Sequence, residues 1–214
     1  MPAELLTAKG RQTRQAIEQA ARKLFAERGF HGTTLADITS AAGKSPAVFY
    51  RYFADKEDLL AALAESFLHD VVTPSGLSLH LRVADPDPTD DDAFFTSVVT
   101  GYWNMFKQNI GIMIAVAQLA ATQQRFAGVQ NEFRRFGMDI VAASVRRAQE
   151  QGYGTELNPE HTAAAIALLF ENFTTVFVGP FGPGGLGLKI SDQDAIATLS
   201  TIWKKTLYGS VMRS

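Results

Sequence analysis

The stretch FHGTTLADITSAAGKSPAVFYRYFADKEDLL, residues Phe30 to Leu60, carries three helix starts in close succession. Thr34 with Asp37 three positions on has the form of a capping box, in which each residue's side chain serves the other's free backbone N–H. Ser45 is a natural N-cap, and Pro46 falls at the first helical position, where its missing N–H costs nothing. Asp55 caps again, with Asp58 three positions on. Gly43 stops the first of these helices. The pattern predicts helices over 35–42, 46–53 and 56–72, with Leu35, Ile38, Ala41 and Ala42 on the buried side of the first. Two short helices joined across one glycine have the dimensions of a helix-turn-helix, in which one helix enters the major groove and its neighbour holds it at a fixed angle.

Upstream, residues 9–29 place Ile17, Ala20, Ala21, Leu24 and Phe25 on one stripe at helical spacing, and Gly29 ends that helix as a left-handed cap. This helix supplies the third wall of a small core expected from Leu24, Phe25, Leu35, Ile38, Ala42, Val48, Phe49, Tyr52 and Leu59. Downstream, residues 73–92 are punctuated by Pro74, Gly76, Pro86 and Pro88 and read as a loop. Longer helices follow at about 93–108, 111–121, 124–150 and 159–178, the last started by Asn158 and Pro159. Residues 179–190 are rich in glycine and proline, and a capping box of Ser191 with Asp194 opens a final helix to about Tyr208. No stretch alternates with period two, so the chain reads as all-α with about nine helices.

The 214 residues include no cysteine, which excludes a disulfide scaffold, a thiolate metal site and a cysteine nucleophile, and fits a reducing cytoplasm. An apolar fraction of 46% supports a real core. No basic start with an apolar run marks a signal peptide, and no uninterrupted apolar stretch marks a transmembrane helix, so no membrane association is expected. The net charge of −2 divides unevenly along the chain. Nine bases against five acids leave residues 1–56 at +4, and the remaining eleven bases and seventeen acids leave −6. A basic head on an acidic body points the head at a polyanion.

The signature from Gly29-Phe30-x-Gly32-Thr33-Thr34 through Ile38, Ala41-Ala42-Gly43, Ser45, Phe49-Tyr50, Tyr52-Phe53 and Lys56-Glu57 resembles the DNA-binding region of the TetR family of transcriptional regulators. The resemblance covers roughly residues 10–60. It implies an N-terminal three-helix, helix-turn-helix DNA-binding domain over 1–56 and a helical ligand-binding and dimerisation domain over 57–214. It implies that Thr34, Tyr50 and Lys56 contact phosphate, and that Lys44, Ser45, Pro46, Ala47, Val48 and Arg51 face the groove. The chemistry is compatible: hydroxyls and ammonium groups are ordinary phosphate partners, Arg reads guanine bidentately, and small apolar groups meet a thymine methyl. The chain departs from the family where Lys44 replaces an apolar residue and Pro46 a frequent Lys or Arg. Arg51 is then the main polar reader, and DNA shape supplies part of the preference.

For the body, the resemblance implies a homodimer that binds a small molecule. The aromatic residues support a largely apolar pocket built from Trp103, Phe106, Met113, Phe133, Phe136, Asn172 and Phe173, with Asn172 as a buried polar fixer. The last two helices offer Ala163, Ala164, Ala167, Phe170, Thr174 and Phe177, and Ile196, Leu199, Ile202 and Trp203, as the faces that pair across a two-fold axis. The expected partners are a double-stranded DNA operator, a small hydrophobic effector and a second copy of the chain.

Other motifs carry no chemistry. Gly182-x-Gly184-x-x-Gly187 matches a dinucleotide-binding pattern by letter but lacks a βαβ setting and contains Pro183. The four histidines share no ligand spacing, so no metal and no cofactor is expected. No acid/base or nucleophile constellation marks an enzyme. The leading reading is a repressor released from a palindromic operator by ligand; the alternative is a DNA-binding regulator without a small-molecule effector, controlled by a protein partner.

Overall fold

In the computed structural model, residues 7–72, 92–179 and 188–209 are described. Thr7 caps the first helix, its hydroxyl accepting from the Gly10 N–H at 3.2 Å. Nine helices follow one another among the described residues: α1 (Ala8–Arg28), α2 (Leu35–Ala41), α3 (Pro46–Phe49), α4 (Lys56–Val72), α5 (Asp92–Gln108), α6 (Ile110–Ala120), α7 (Gln124–Glu150), α8 (Pro159–Val178) and α9 (Asp192–Tyr208). The loop expected over 73–92 and the Gly182–Gly187 pattern fall almost wholly outside the described residues.

The expected caps form the ends of these helices. The Thr34 hydroxyl accepts from Asp37 N at 3.1 Å while the Asp37 carboxylate accepts from Thr34 N at 2.9 Å, closing the capping box. Asn158 and Ser191 cap α8 and α9 through side-chain oxygens that accept from His161 N and Asp194 N. Gly29 and Gly43 sit at φ +71° and +62°, where a Cβ would be strained, and they turn the chain between α1 and α2 and between α2 and α3.

The chain divides into two compact units. The first holds residues 1–67 and 109–130, and the second 68–108 and 131–214. The first unit therefore extends past the signature region, taking in most of α4, all of α6 and the start of α7. Its core is built on the α1 stripe, Ile17, Ala21, Leu24 and Phe25, all buried. Phe30, Ile38, Phe49, Phe53, Leu59, Leu60 and Leu63 are buried in the same unit. Each fully buried large apolar side chain contributes about 1.5–3 kcal/mol. Leu35, Ala42, Val48 and Tyr52, expected in this core, are half-buried at its edge, while Phe30 and Phe53 take the central places. The reason is local: Phe30 stacks against Phe25 at 5.3 Å, and Phe53 against Phe49 at 5.6 Å. α6 crosses α1 at Gly111, where an added Cβ would lie 2.5 Å from Ala26 N.

The second unit centres on Trp203 of α9. Its ring meets Phe95 edge-on at 5.0 Å, with Phe170 at 6.1 Å and Phe94 at 6.3 Å. Its indole N–H donates to Ser144 Oγ at 3.1 Å, and the Ser144 hydroxyl donates to the Val141 carbonyl at 2.6 Å, so this buried polar pair is satisfied. α8 is long and apolar enough, by length and composition, to cross a membrane. It buries Ala163, Ile166, Phe170 and Thr174, which accounts for part of its apolar character without a bilayer.

Candidate nucleic-acid interface

The sequence places three caps within one short region, and the structure uses them to present one turn of helix. Ser45 Oγ accepts from Val48 N at 3.4 Å at the start of α3. Phe49, wholly buried, anchors that turn from below. The α-helical segment ends at Phe49, short of the expected Phe53. Bonds of the tighter i→i−3 type then carry the chain onward, from Arg51 N to Val48 O at 3.3 Å and from Tyr52 N to Phe49 O at 2.9 Å. Phe53 N still returns to the Phe49 carbonyl four residues back at 3.1 Å, and the two rings pack tilted against each other at 5.6 Å.

Tyr50 stands out from this turn with 59% of its surface exposed, although its ring meets Phe49 edge-on at 5.7 Å. Ser45, Pro46, Ala47 and Arg51 are exposed, and Lys44 and Val48 are half-buried. Thr34 is exposed at the head of α2. The expected groove residues thus share one short segment, with Thr34 at the start of the supporting helix.

Charge is distributed to the same end. Arg14 pairs with Glu18 at 2.7 Å, Lys23 with Glu27 at 3.9 Å and Arg28 with Asp37 at 3.7 Å. Lys44 and Arg51 have no ion-pair partner among the described residues. Asp37 is held below the usual carboxylate range, first by the Thr34 hydroxyl, then by the Thr34 backbone N–H and the Arg28 guanidinium.

Lys56 is used differently from a free surface cation. Its ammonium donates to the Phe30 and Thr33 carbonyls, each at 2.7 Å, and lies 4.2 Å from the centre of the Phe30 ring. Burial lowers its pKa, with Glu57 opposing. Two of its three N–H donors are therefore spent tying α4 to the turn before α2, which leaves one for a phosphate. Nothing in the local sequence distinguishes this role from an exposed lysine. A second feature legible only in three dimensions is Arg22, whose guanidinium donates to Asn109 Oδ1 at 3.0 Å and joins α1 to the residue before α6.

The expected pocket residues are more dispersed. In the second unit Trp103 and Phe106 are buried, and Phe173 packs on Trp103 at 6.3 Å and on Phe177 at 4.6 Å. Phe133 and Phe136 are half-buried on α7. Met113, also half-buried, belongs to the first unit. The expected burial of Asn172 is corrected: it is exposed, and its amide satisfies itself on the Leu168 carbonyl one turn back at 2.9 Å. The outward face of α8 that carries it includes Leu168, Leu169 and Val176, each about two-fifths exposed, as is Ile202 on α9. Ala163, Phe170, Thr174, Leu199 and Trp203, expected to face a partner, are turned inward.

The polar fixers of this region lie elsewhere. Tyr102 Oη, Thr174 Oγ1 and Trp103 Nε1 are buried with no well-formed hydrogen bond among the described residues. Such a group costs about 1–3 kcal/mol when left unsatisfied. The Tyr102 phenol is pushed well above its ordinary range, mainly by burial; the nearby Thr174 hydroxyl opposes the shift and the Glu171 carboxylate reinforces it. The Lys107 ammonium, which donates to the Asp192 carboxylate at 2.6 Å, holds that carboxyl low. Among the described residues no group of three His, Asp or Glu side chains could hold a metal ion.

Residues 17–63 match the family model of bacterial regulatory proteins of the tetR family. The HTH-type transcriptional regulator EthR of Mycobacterium tuberculosis is 25% identical over 194 residues, spanning 91% of this chain and 86% of that protein. The HTH-type transcriptional repressor AcnR of Corynebacterium glutamicum is 38% identical over 79 residues, 36% of this chain and 42% of the relative. Among solved structures, regulatory protein TetR from Rhodobacter sphaeroides superposes with a TM-score of 0.65 at 17% identity, over 91% of this chain and 98% of that one. The transcriptional regulator FadR from Bacillus subtilis, solved in complex with stearoyl-CoA, has a TM-score of 0.63 at 17% identity, over 91% and 98%.

Proposed function

We propose that the chain is a member of the tetR family of bacterial transcriptional regulators, whose family model its residues 17–63 match, and that it is a homodimeric repressor released from a palindromic operator by a small hydrophobic effector. It is a DNA-binding regulator and not an enzyme. The observation that carries the finer reading is the α3 turn. Exposed Tyr50 and unpaired Lys44 and Arg51 project from a segment held by the Ser45 cap and the buried Phe49.

In this reading the DNA-binding head is residues 1–56 and the effector and dimerisation body is residues 57–214. Thr34, Tyr50 and the remaining donor of Lys56 hold phosphates and set the register. Lys44, Ser45, Pro46, Ala47, Val48 and Arg51 line the groove, with Arg51 the base reader. The exposed apolar face of α8 and α9, Leu168, Leu169, Val176 and Ile202, supports an isologous contact between two copies. Two heads then read half-sites one helical turn, roughly 34–36 Å, or a multiple apart. Trp103, Phe106, Phe133, Phe136 and Phe173, all of the second unit, are the apolar surroundings for the effector. That a protein of the same fold was solved with stearoyl-CoA supports a ligand with a long apolar part. α4 continues from the first unit into the second and is the lever between them. The effector can move the heads only by its differential affinity for the bound and released forms. Such a regulator works in the cytoplasm.

Fluorescence anisotropy with labelled DNA from upstream of the gene tests the operator half. We expect nanomolar binding to a palindrome at low salt, weakening steeply as salt rises. Failure to bind any upstream palindrome at low salt refutes it. A thermal-shift screen of hydrophobic compounds tests the effector half, with hits expected to release the operator; a screen in which no compound both stabilises the protein and releases DNA refutes that half alone.

A further inference from the structure

Thr174 differs from the other buried helix threonine, Thr39, whose hydroxyl donates to the Ala36 carbonyl at 3.2 Å. Thr100, Thr175 and Thr206 each donate to the carbonyl four residues back, at 2.6, 2.7 and 2.8 Å. Thr174, wholly buried beside Thr175, leaves the Phe170 carbonyl alone, and its hydroxyl has no partner. It stands within reach of the phenol of Tyr102, which is also buried and makes no well-formed hydrogen bond among the described residues. The Tyr102 ring is itself half-buried between Phe106 at 5.9 Å and Phe170 at 5.7 Å, so its polar end points inward. Two hydroxyls on different helices thus share an aromatic setting, each unsatisfied and each able to donate.

The charge of the surroundings decides what they can receive. Glu171 lies close enough for its carboxylate to act on the Tyr102 phenol. Arg134, the cation beside it, spends its guanidinium fork on Glu171, with bonds of 2.7 and 2.9 Å. An anionic head group would therefore meet a carboxylate whose countercharge is already committed. An uncharged acceptor meets no such opposition, and its two lone pairs can take both hydroxyl protons.

We propose that Tyr102 and Thr174 form the polar anchor of the effector site, and that the effector is a neutral amphipath whose carbonyl oxygen, as in a ketone, ester or amide, accepts from both hydroxyls while its apolar part lies along Phe106, Phe170 and Phe173. The proposal rests on the effector reading above and names its chemistry.

The test compares methyl nonyl ketone, undecane and undecanoate as probes of the full-length protein, by thermal shift and by release of labelled operator. The ketone stabilises the wild-type protein and releases operator at concentrations at least tenfold below those at which the alkane or the carboxylate acts. Tyr102→Phe and Thr174→Val each weaken the ketone response about tenfold and leave the alkane response in place. Without ligand, both variants melt at the wild-type temperature or above it, because each loses an unsatisfied hydroxyl; a structural hydrogen bond between the two would make both melt lower. Equal ketone response in wild type and variants overturns the anchor. A carboxylate that matches or exceeds the ketone overturns the assignment of class. No response to any of the three probes overturns the proposal as a whole, and the broader effector reading is then judged separately by hits in the compound screen. Lower melting of both unliganded variants overturns it too.

Discussion

Replacing Gly111 by alanine sets two well-measured effects against each other. Gly111 lies in α6, and glycine in a helix interior is less favourable than alanine by about 0.8–1 kcal/mol, so propensity alone predicts a more stable protein. The packing predicts the reverse. The new Cβ would lie 2.5 Å from Ala26 N, 2.6 Å from Phe25 C and 2.8 Å from Ala26 Cα. Ordinary carbon contacts are about 3.5–4.0 Å, so α1 and α6 must separate by about 1 Å. All three near atoms are backbone, which cannot rotate away as a side-chain tip would. Overpacking costs about 1–3 kcal/mol, and a clash with backbone that cannot rotate away takes the upper part of that range, about 2–3 kcal/mol, leaving a net loss of about 1–2 kcal/mol after the helix gain. For a chain of this size that lowers the melting temperature by about 2–8 °C. Gly128→Ala is the control: it is also helical, an added Cβ there meets nothing within 4 Å, and stability should rise by about 0.5–1 kcal/mol. Thermal and urea unfolding followed by far-ultraviolet circular dichroism read both. If Gly111→Ala is as stable as the wild type, or if both substitutions move stability the same way, the close approach of α6 to α1 is refuted.

Arg51→Ala should relax discrimination at one operator position by about 1–3 kcal/mol, whereas Lys44→Ala should weaken binding to all sequences and lower the salt slope by about 0.9; anisotropy titrations over a range of salt separate the two. Thr34→Ala should cost about 1 kcal/mol of stability through the lost cap and weaken operator binding with it, measured by denaturant unfolding and anisotropy. The Asp37 carboxyl is held below the ordinary carboxylate range in the folded protein by the Thr34 hydroxyl, so its contribution is present above that range and is lost as pH falls through the folded value. Asp37→Asn should therefore flatten the acid limb of the stability curve below about pH 4 and leave its shape near neutrality unchanged, as thermal melts across pH will report. On the proposed two-fold contact through α8 and α9, Leu169→Glu and Ile202→Glu should each give a folded monomer where the wild type is a dimer, which sedimentation velocity detects; two dimeric variants would refute a contact on that face.

Helix starts were the most legible part of this protein. Thr34, Ser45, Asn158 and Ser191 act on N–H groups three residues away, so their effect is contained in a few adjacent letters. The length of α3 was not legible, because no turn glycine or proline stands between Phe49 and Phe53 to mark the change to mixed i→i−3 and i→i−4 bonds. The orientation of α8 was hidden for a different reason. Leu168, Leu169, Phe170 and Phe173 make the helix apolar on most sides, and a weak periodicity does not say which side turns inward.

What the sequence by itself determined is the order of helices, the helix-turn-helix and the residues on its outer turn, since caps, a turn glycine and a 3.6-residue stripe are local chemistry. Tertiary structure alone decided which long side chains are spent internally and which polar groups are left wanting. Lys56 reaches back to Phe30 and Thr33, Asn172 turns outward, and Tyr102 and Thr174 come together from helices far apart in the chain. A lysine stem or a phenol can serve solvent, a carbonyl or a ligand equally well, and only the neighbours brought by folding choose among them.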